Sequence, residues 1–194
     1  MKYAVINKDR KYILRVSETE PSFTGESFET VEISEALYNE YNTRRETERH
    51  MYLVDGEILS REQNLKRVRM LREEERFNEN PQAYKEFLAE VVRRKRWETE
   101  QGGFEFSGLT IPSDDRSQML INGAFNAAKE DASFVTKWQV GPLNFVDLDA
   151  DAVIALGHAL RDHVNSVFLW QAAKVQEIIE AETFEDIKNI NIND

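Results

Sequence analysis

The feature that most restricts the fold is a run over residues 149–179 that is apolar around too much of a helix to lie on a simple surface. Asp149 is a helix-capping residue type. Val153, Leu156, Leu160, Val164, Val167, Phe168, Val175 and Ile178 then recur at helical spacing. Ile154, Leu169, Trp170 and Ile179 lie off that stripe. A helix apolar over more than half its circumference has to be covered from two sides. The pattern predicts the chain's own sheet on one side and a neighbouring subunit on the other. Phe168, Leu169 and Trp170 are the interaction candidates, because large aromatic and apolar side chains dominate interface energies.

The rest of the chain has the composition to support such a core. Its 194 residues suffice for one ordinary domain or two small ones, and 41% of them are apolar. The net charge of −11 disfavours a phosphate backbone as partner unless a local basic patch overrides it. The chain lacks cysteine, which excludes disulfides, thiol catalysis and Cys-ligated metals and fits assembly in a reducing cytoplasm. The N-terminus has no stretch resembling a signal peptide, and no run approaches the ~20 apolar residues of a membrane span. Neither a membrane nor a nucleic acid is expected as partner.

Charge and pattern change together along the chain. Residues 1–59 carry eight basic and twelve acidic side chains, 60–100 eleven and nine, and 101–194 six and fifteen. This partition predicts a small β-rich N-terminal domain (1–59), a helical connector (60–100) and a C-terminal α+β domain (101–194).

The first segment reads as a small antiparallel sheet. Strands are expected at 2–7 and 11–17 around Lys8-Asp9-Arg10, with a further edge strand at 28–33. A short helix capped by Ser34 follows, and then a hairpin whose Asp55-Gly56 suits a type I′ turn. In the middle, Ser60 and Gln63 form a capping-box pair that opens a very polar helix. Asn80-Pro81 starts a second helix running to about Trp97. A helix as polar as the first lies on a surface or bridges two domains, and its Leu65/Val68 seam fails at Arg72 and Glu75. The run Arg93-Arg94-Lys95-Arg96 reads as a solvated, dipole-complementing helix end that docks on the acidic third segment, rather than as a nucleic-acid patch. In the last segment Gly102-Gly103 stops the helix, and Ser107-Gly108 turns one hairpin. Asp114 or Ser113 caps a helix, and strands at 134–140 and 143–148 flank Gly141-Pro142. The fold class is therefore α+β: a small N-terminal antiparallel sheet, a charged helical middle, and a C-terminal domain with two hairpins and a long terminal helix.

Catalytic patterns are missing from this sequence. His158 and His163 are five apart, about 140° around a helix, and lack the four-residue spacing of helical zinc ligands. Asp114 and Asp115 are adjacent and point apart at the positive end of a helix, so they and Arg116 read as structural. No catalytic, cofactor-binding or metal-binding residue is assigned, no cofactor is implied, and the expectation is that the chain is not an enzyme.

One further signal lies in the order of particular residues. Trp97-Glu98-Thr99-Glu100-Gln101-Gly102-Gly103 precedes Gly108-Leu109-Thr110-Ile111-Pro112-Ser113-Asp114-Asp115-Arg116-Ser117-Gln118, followed by Trp138 and by Arg161-Asp162-His163-Val164. This series resembles an uncharacterised domain family of phage and prophage tail-gene clusters. Tyr52 to Ile58 is similar to strand–turn–strand units of proteins encoded beside phage tail fibres. The resemblance implies a non-enzymatic tail component at the baseplate or tail-fibre attachment, with other phage tail proteins as partners and an oligomeric state. It places the protein in the virion tail, and in the host cytoplasm during assembly. The alternative it leaves open is a tail-fibre assembly chaperone not retained in the mature virion.

Overall fold

Two dipeptides with positive φ set the local geometry of both halves of the chain. Asp55 (φ 50°) and Gly56 (φ 81°) reverse it between β4 (Met51–Val54) and β5 (Glu57–Ser60). Ser107 (φ 50°) and Gly108 (φ 77°) do the same between β6 (Phe104–Phe106) and β7 (Leu109–Ile111). Two consecutive left-handed residues match the right-handed twist of the flanking strands, so each turn closes a two-residue hairpin. The computed structural model describes residues 1–21, 25–141 and 143–192. The fold is α+β, with contacts that divide it into two units, Met1–Glu75 and Arg76–Asp194.

In the first unit, β1 (Lys2–Asn7) is the centre of a three-stranded antiparallel sheet, with β2 (Ile13–Ser17) and β3 (Phe28–Ile33) as its edges. Asn7 Oδ1 accepts from Asp9 N at 3.2 Å and Arg10 N at 2.7 Å, which tightens the first reversal. The core joins Ala4, Ile6, Ile13 and Ile33 of the sheet to Met51, Leu53 and Ile58 of the hairpin. Leu37, Tyr38 and Tyr41 of α1 (Glu35–Arg44), capped by Ser34, pack against it. Arg44 fastens the end of α1: its guanidinium pairs with Glu40 and Glu48 and donates to Ile58 O at 2.9 Å. Ser60 and Gln63 exchange their capping-box hydrogen bonds, at 2.7 and 3.2 Å, and open α2 (Arg61–Glu79).

The expected separate connector over 60–100 is not what the contacts draw. The polar α2 runs across the division between the units, and Phe77, its one buried residue, belongs to the second. The next helix, α3 (Pro81–Gln101), is capped by Asn80 and is an integral wall of the second unit, where Tyr84 and Val92 are buried.

That second unit is organised around α5 (Ala150–Glu180), a 31-residue helix capped by Asp149. It packs against α3 and against α4 (Asp115–Glu130). Helices therefore cover much of the apolar surplus for which the sequence predicted a sheet and a second subunit. The β6–β7 hairpin and the β8 (Val135–Gly141)–β9 (Asn144–Asp149) hairpin close the middle. Phe104, Ile111, Ile121, Leu156 and Leu160 form the core there, with Trp138 and Leu148 against it. Gly141 pairs with Asn144, while Pro142 of the expected turn lies outside the described residues. A short α6 (Phe184–Asn189), which the sequence reading missed, buries Phe184 and Ile187 against Phe77, Tyr84 and Ala181.

The α4–α5 contact depends on small residues. Ala128 and Ala150 are buried, Ala124 packs beside them, and Gly157 is buried in α5. A Cβ on Gly157 would lie 2.9 Å from Phe125 Cγ and 3.2 Å from Phe125 Cβ, as well as on its ring edge. Gly157→Ala should therefore lose more by overpacking, about 1–3 kcal/mol, than the ~1 kcal/mol it gains in helix propensity. Urea unfolding should show net destabilisation of Gly157→Ala in the wild-type chain and a gain in a Phe125→Ala background. Stabilisation in both backgrounds would mean that the helices do not meet this closely.

Candidate functional site: a polar junction and an exposed helix face

The stretch that carried the sequence resemblance folds into a junction of α3, the β6–β7 hairpin, α4 and α5. At the end of α3, Gly102 (φ −77°) caps the helix and Gly103 (φ +91°) reverses the chain. A Cβ at Gly103 would meet Ile111 O at 3.0 Å, so both conformation and space require glycine there. The short hairpin then returns Ser113 to the helix end it left. Ser113 is fully buried; its Oγ donates to Glu100 O and accepts from Gly103 N at 2.9 Å. Gln118 Nε2 donates to Ser113 O at 2.8 Å and approaches Glu100 Oε1 at 3.4 Å. Gln101 and Asp115 bond reciprocally, the amide to Oδ1 at 2.9 Å and Asp115 N to the amide oxygen at 3.2 Å.

The far side of the junction reaches α5. Arg96 pairs with Glu100 one turn on, and both side chains are mostly buried, with 14% and 13% of their surface exposed. Arg96 Nε donates to Gln171 Oε1 at 3.1 Å, and the guanidinium carbon lies 4.5 Å from the centre of the Phe168 ring. Of the basic run 93–96, Arg96 thus docks on α5, while Arg93 pairs with Glu90 at 2.8 Å along α3. His163 stacks on Phe104 with ring centres 5.3 Å apart, and its Nε2 lies 3.3 Å from Glu100 O. His158 is exposed, its ring centre 5.5 Å from that of Phe125.

Ser113 and His163 therefore meet at one carbonyl oxygen. A carbonyl only accepts, so both groups donate to it, and His163 is not placed to take the serine proton. Among the described residues no buried side-chain nitrogen or oxygen lacks a partner, and no group of three His, Asp or Glu is arranged to hold a metal ion. The hydrogen-bonding capacity of the junction is spent on fixing four elements to one another.

Asp114 accepts from Arg116 N and Ser117 N, both at 3.1 Å, and from Ser117 Oγ at 2.6 Å as the cap of α4. Arg116 is exposed and has no ion-pair partner among the described residues. The Ser117 hydroxyl, then the two backbone donors, hold the Asp114 carboxyl below the usual 3.8. A cleft of about 390 Å³ in the first unit has an apolar floor that includes Ile6, Val31 and Leu53. The charges at its rim are paired with one another, Lys11 with Glu29 at 2.9 Å and Arg67 with Asp55 at 3.1 Å.

The three interaction candidates do not share a face. Phe168 and Leu169 are exposed, at 47% and 62%. Trp170 is half-buried, because the second residue along lies about 200° around the helix from Phe168. The exposed apolar face continues instead through Ala172 and Ala173 to Ile179, at 60%. The i, i+4 and i+11 spacing from Phe168 was the sequence signal for it. Ser113 and Glu100 were missed, since only the returning hairpin brings them together.

Ser113→Ala leaves Gly103 N and Glu100 O short of a partner in a buried site and should destabilise the second unit by about 2 kcal/mol. Equilibrium unfolding by tryptophan fluorescence measures this; an unchanged midpoint would contradict the junction. A depressed folded-state pKa stabilises above the unfolded value, and the contribution is lost as pH falls through the folded one. Stability should thus fall as pH drops below 3.8. Asp114→Asn, an equally good cap, should flatten that decline while leaving neutral-pH stability nearly unchanged.

No curated protein and no solved structure matches the chain. Residues 83–192 match the model of a family described as Domain of unknown function (DUF4376), a stretch that holds the whole junction and all of α5. With more than half of its length matched, the chain belongs to the DUF4376 family.

Proposed function

We propose that the protein is a non-enzymatic component of a phage tail, at the baseplate or the tail-fibre attachment, acting through protein–protein surfaces. The resemblance of the residues between Trp97 and Val164 supplies the tail context. The observation that carries the surface reading is the exposed face of α5. From Val164 to Ala173 the helix carries no charged side chain, yet Phe168, Leu169, Ala172 and Ala173 are exposed. Large apolar side chains held on a rigid helix lose little conformational entropy on binding, which favours them as anchors.

The junction supports this reading by what it does with its polar groups. Serine, histidine, glutamate and arginine are gathered there, but each is committed to helix placement, and the result is a fixed α5. The partners of such a face are other tail proteins, met in the host cytoplasm during assembly and retained in the virion.

A second reading, a tail-fibre assembly chaperone not retained in the virion, draws on a different observation. The β8–β9 ribbon exposes Val135 at 63%, Leu143 at 98% and Phe145 at 56%. A two-stranded ribbon with apolar side chains outward offers an unfinished fibre both grease and strands to pair with.

Mass spectrometry of gradient-purified particles separates the two. Copy number in a fixed ratio to the major tail proteins is expected for the structural component. Absence from particles, with the fibre protein co-purifying from lysate, would overturn it in favour of the chaperone. Phe168→Ala with Leu169→Ala should weaken association by at least about tenfold while near-UV circular dichroism stays unchanged. Trp170→Ala, by contrast, should lower stability without a selective effect on binding.

A further inference from the structure

We infer that the outer edge of β3 is a peptide-docking site. It takes an extended segment of a partner protein as an added strand and seats one apolar side chain of that segment in the adjoining cleft. The inference is independent of the tail assignment and of the α5 face.

The ladder of the first sheet decides which groups point outward. Asn7 N donates to Tyr12 O, on the β2 side, at 3.0 Å, and Lys8 N donates to Ser27 O, on the β3 side, at 3.0 Å. Peptide groups alternate in direction along a strand, so Lys2, Ala4 and Ile6 bond across to their register partners Ile33, Val31 and Glu29. The amides and carbonyls of Thr30 and Glu32 therefore face away from β1. Among the described residues no strand pairs with that edge, and the backbone of neither residue has another partner.

Side chains of β3 alternate between the two faces of the sheet. Glu29 and Val31 turn to the core side, where they line the cleft of about 390 Å³ with Ile6, Leu53 and Val54. Ile6, Leu53 and Val54 are buried, so the floor of the cleft is part of the folded core. Thr30 and the exposed Glu32 occupy the opposite face.

An unpaired edge beside a side-chain pocket is the combination that strand addition uses: main-chain bonds supply affinity and the pocket supplies specificity. Residues of an added strand that bond to Thr30 and Glu32 put their side chains on the Glu32 face. The residue between them lies opposite Val31 and puts its side chain on the cleft face. Charge selects the flanking residues. Glu32 has no ion-pair partner among the described residues, whereas Lys11 already holds Glu29 at 2.9 Å. The segment that fits therefore alternates basic and apolar residues. β3 itself carries no basic residue, so a second copy paired edge to edge would leave Glu32 without a counterion.

The test is a titration of the full chain with a labelled, end-capped heptapeptide that has a lysine–leucine–lysine centre flanked by threonines. Fluorescence anisotropy reads the affinity, and amide hydrogen exchange reads the place. Saturable binding is expected, with exchange slowed at Thr30 and Glu32. N-methylation of the two lysine amides keeps every side chain and removes the ladder, and should abolish binding. Replacing the leucine with alanine should weaken it at least about tenfold, because the cleft is left unfilled. Glu32→Lys should weaken it about fivefold and make the peptide with two glutamates in place of the lysines the better ligand. Thr30→Pro removes one outward N–H at an edge position that tolerates proline, and should abolish binding with circular dichroism unchanged. Equal binding of the N-methylated peptide, protection at another element, or no binding at millimolar peptide would overturn the inference. A chain that dimerises without peptide and protects Thr30 and Glu32 would give the edge to a second copy and overturn it as well.

Discussion

Burial of one stripe of α5 holds the second unit together. Val153, Leu156, Leu160, Val167 and Ile178 run along one side of a 31-residue helix, which no single short element covers. The chain meets this demand in three stretches. Ala124, Ala128 and Ile121 of α4 lie along the N-terminal half, and the two hairpins close the middle. Residues Phe77, Tyr84 and Phe184 cluster at the C-terminal end with ring centres 6.0–6.3 Å apart. Each buried aliphatic side chain contributes about 1.5–3 kcal/mol, so the stripe outweighs any polar contact in the unit.

Apolar burial is non-directional, and by itself it does not decide the rotation of a helix. The polar junction does. Ser113, Glu100, Gln118 and His163 have hydrogen-bond partners on α3, α4 and α5, and they are satisfied only when these helices stand in one arrangement. A buried donor without an acceptor costs about 1–3 kcal/mol, which penalises any rotation that breaks the set. Arg96 completes the fastening, as its stem lies along α3, its head pairs with Glu100 and its planar face covers Phe168. The result is that Phe168 and Leu169 are presented in a fixed orientation.

The sequence was legible where the determinants are local. Asp55-Gly56, the Ser60/Gln63 box, Asn80-Pro81 and the Asp114 and Asp149 caps each depend on a few adjacent residues, and each is found where its chemistry demands it. Reading failed where two distant segments meet. The cover of α5 was expected from the chain's own sheet on one side and a neighbouring subunit on the other; that α3 and α4 pack against it was not foreseen. The basic end of α3 was expected to be a solvated helix end that docks on the acidic third segment, and Arg96 does reach Gln171 there, 75 residues away, while it pairs with Glu100 one turn on. The grouping of Trp170 with Phe168 and Leu169 failed for a simpler reason, since three consecutive helical residues span about 200°. The short α6 did leave a local signal, the Thr183/Asp186 capping box.

The absence of cysteine makes the presented face of α5 directly accessible to chemistry. Ala172→Cys introduces a single thiol on that face, and Val167→Cys places one in the buried stripe of the same helix as a control. Maleimide labelling of the native chain at equal protein concentration reads out which side of the helix is presented. Rapid labelling at position 172 and slow labelling at 167 is the expected result. Equal labelling at both positions, or slow labelling at 172, would contradict a fixed α5 that presents this face.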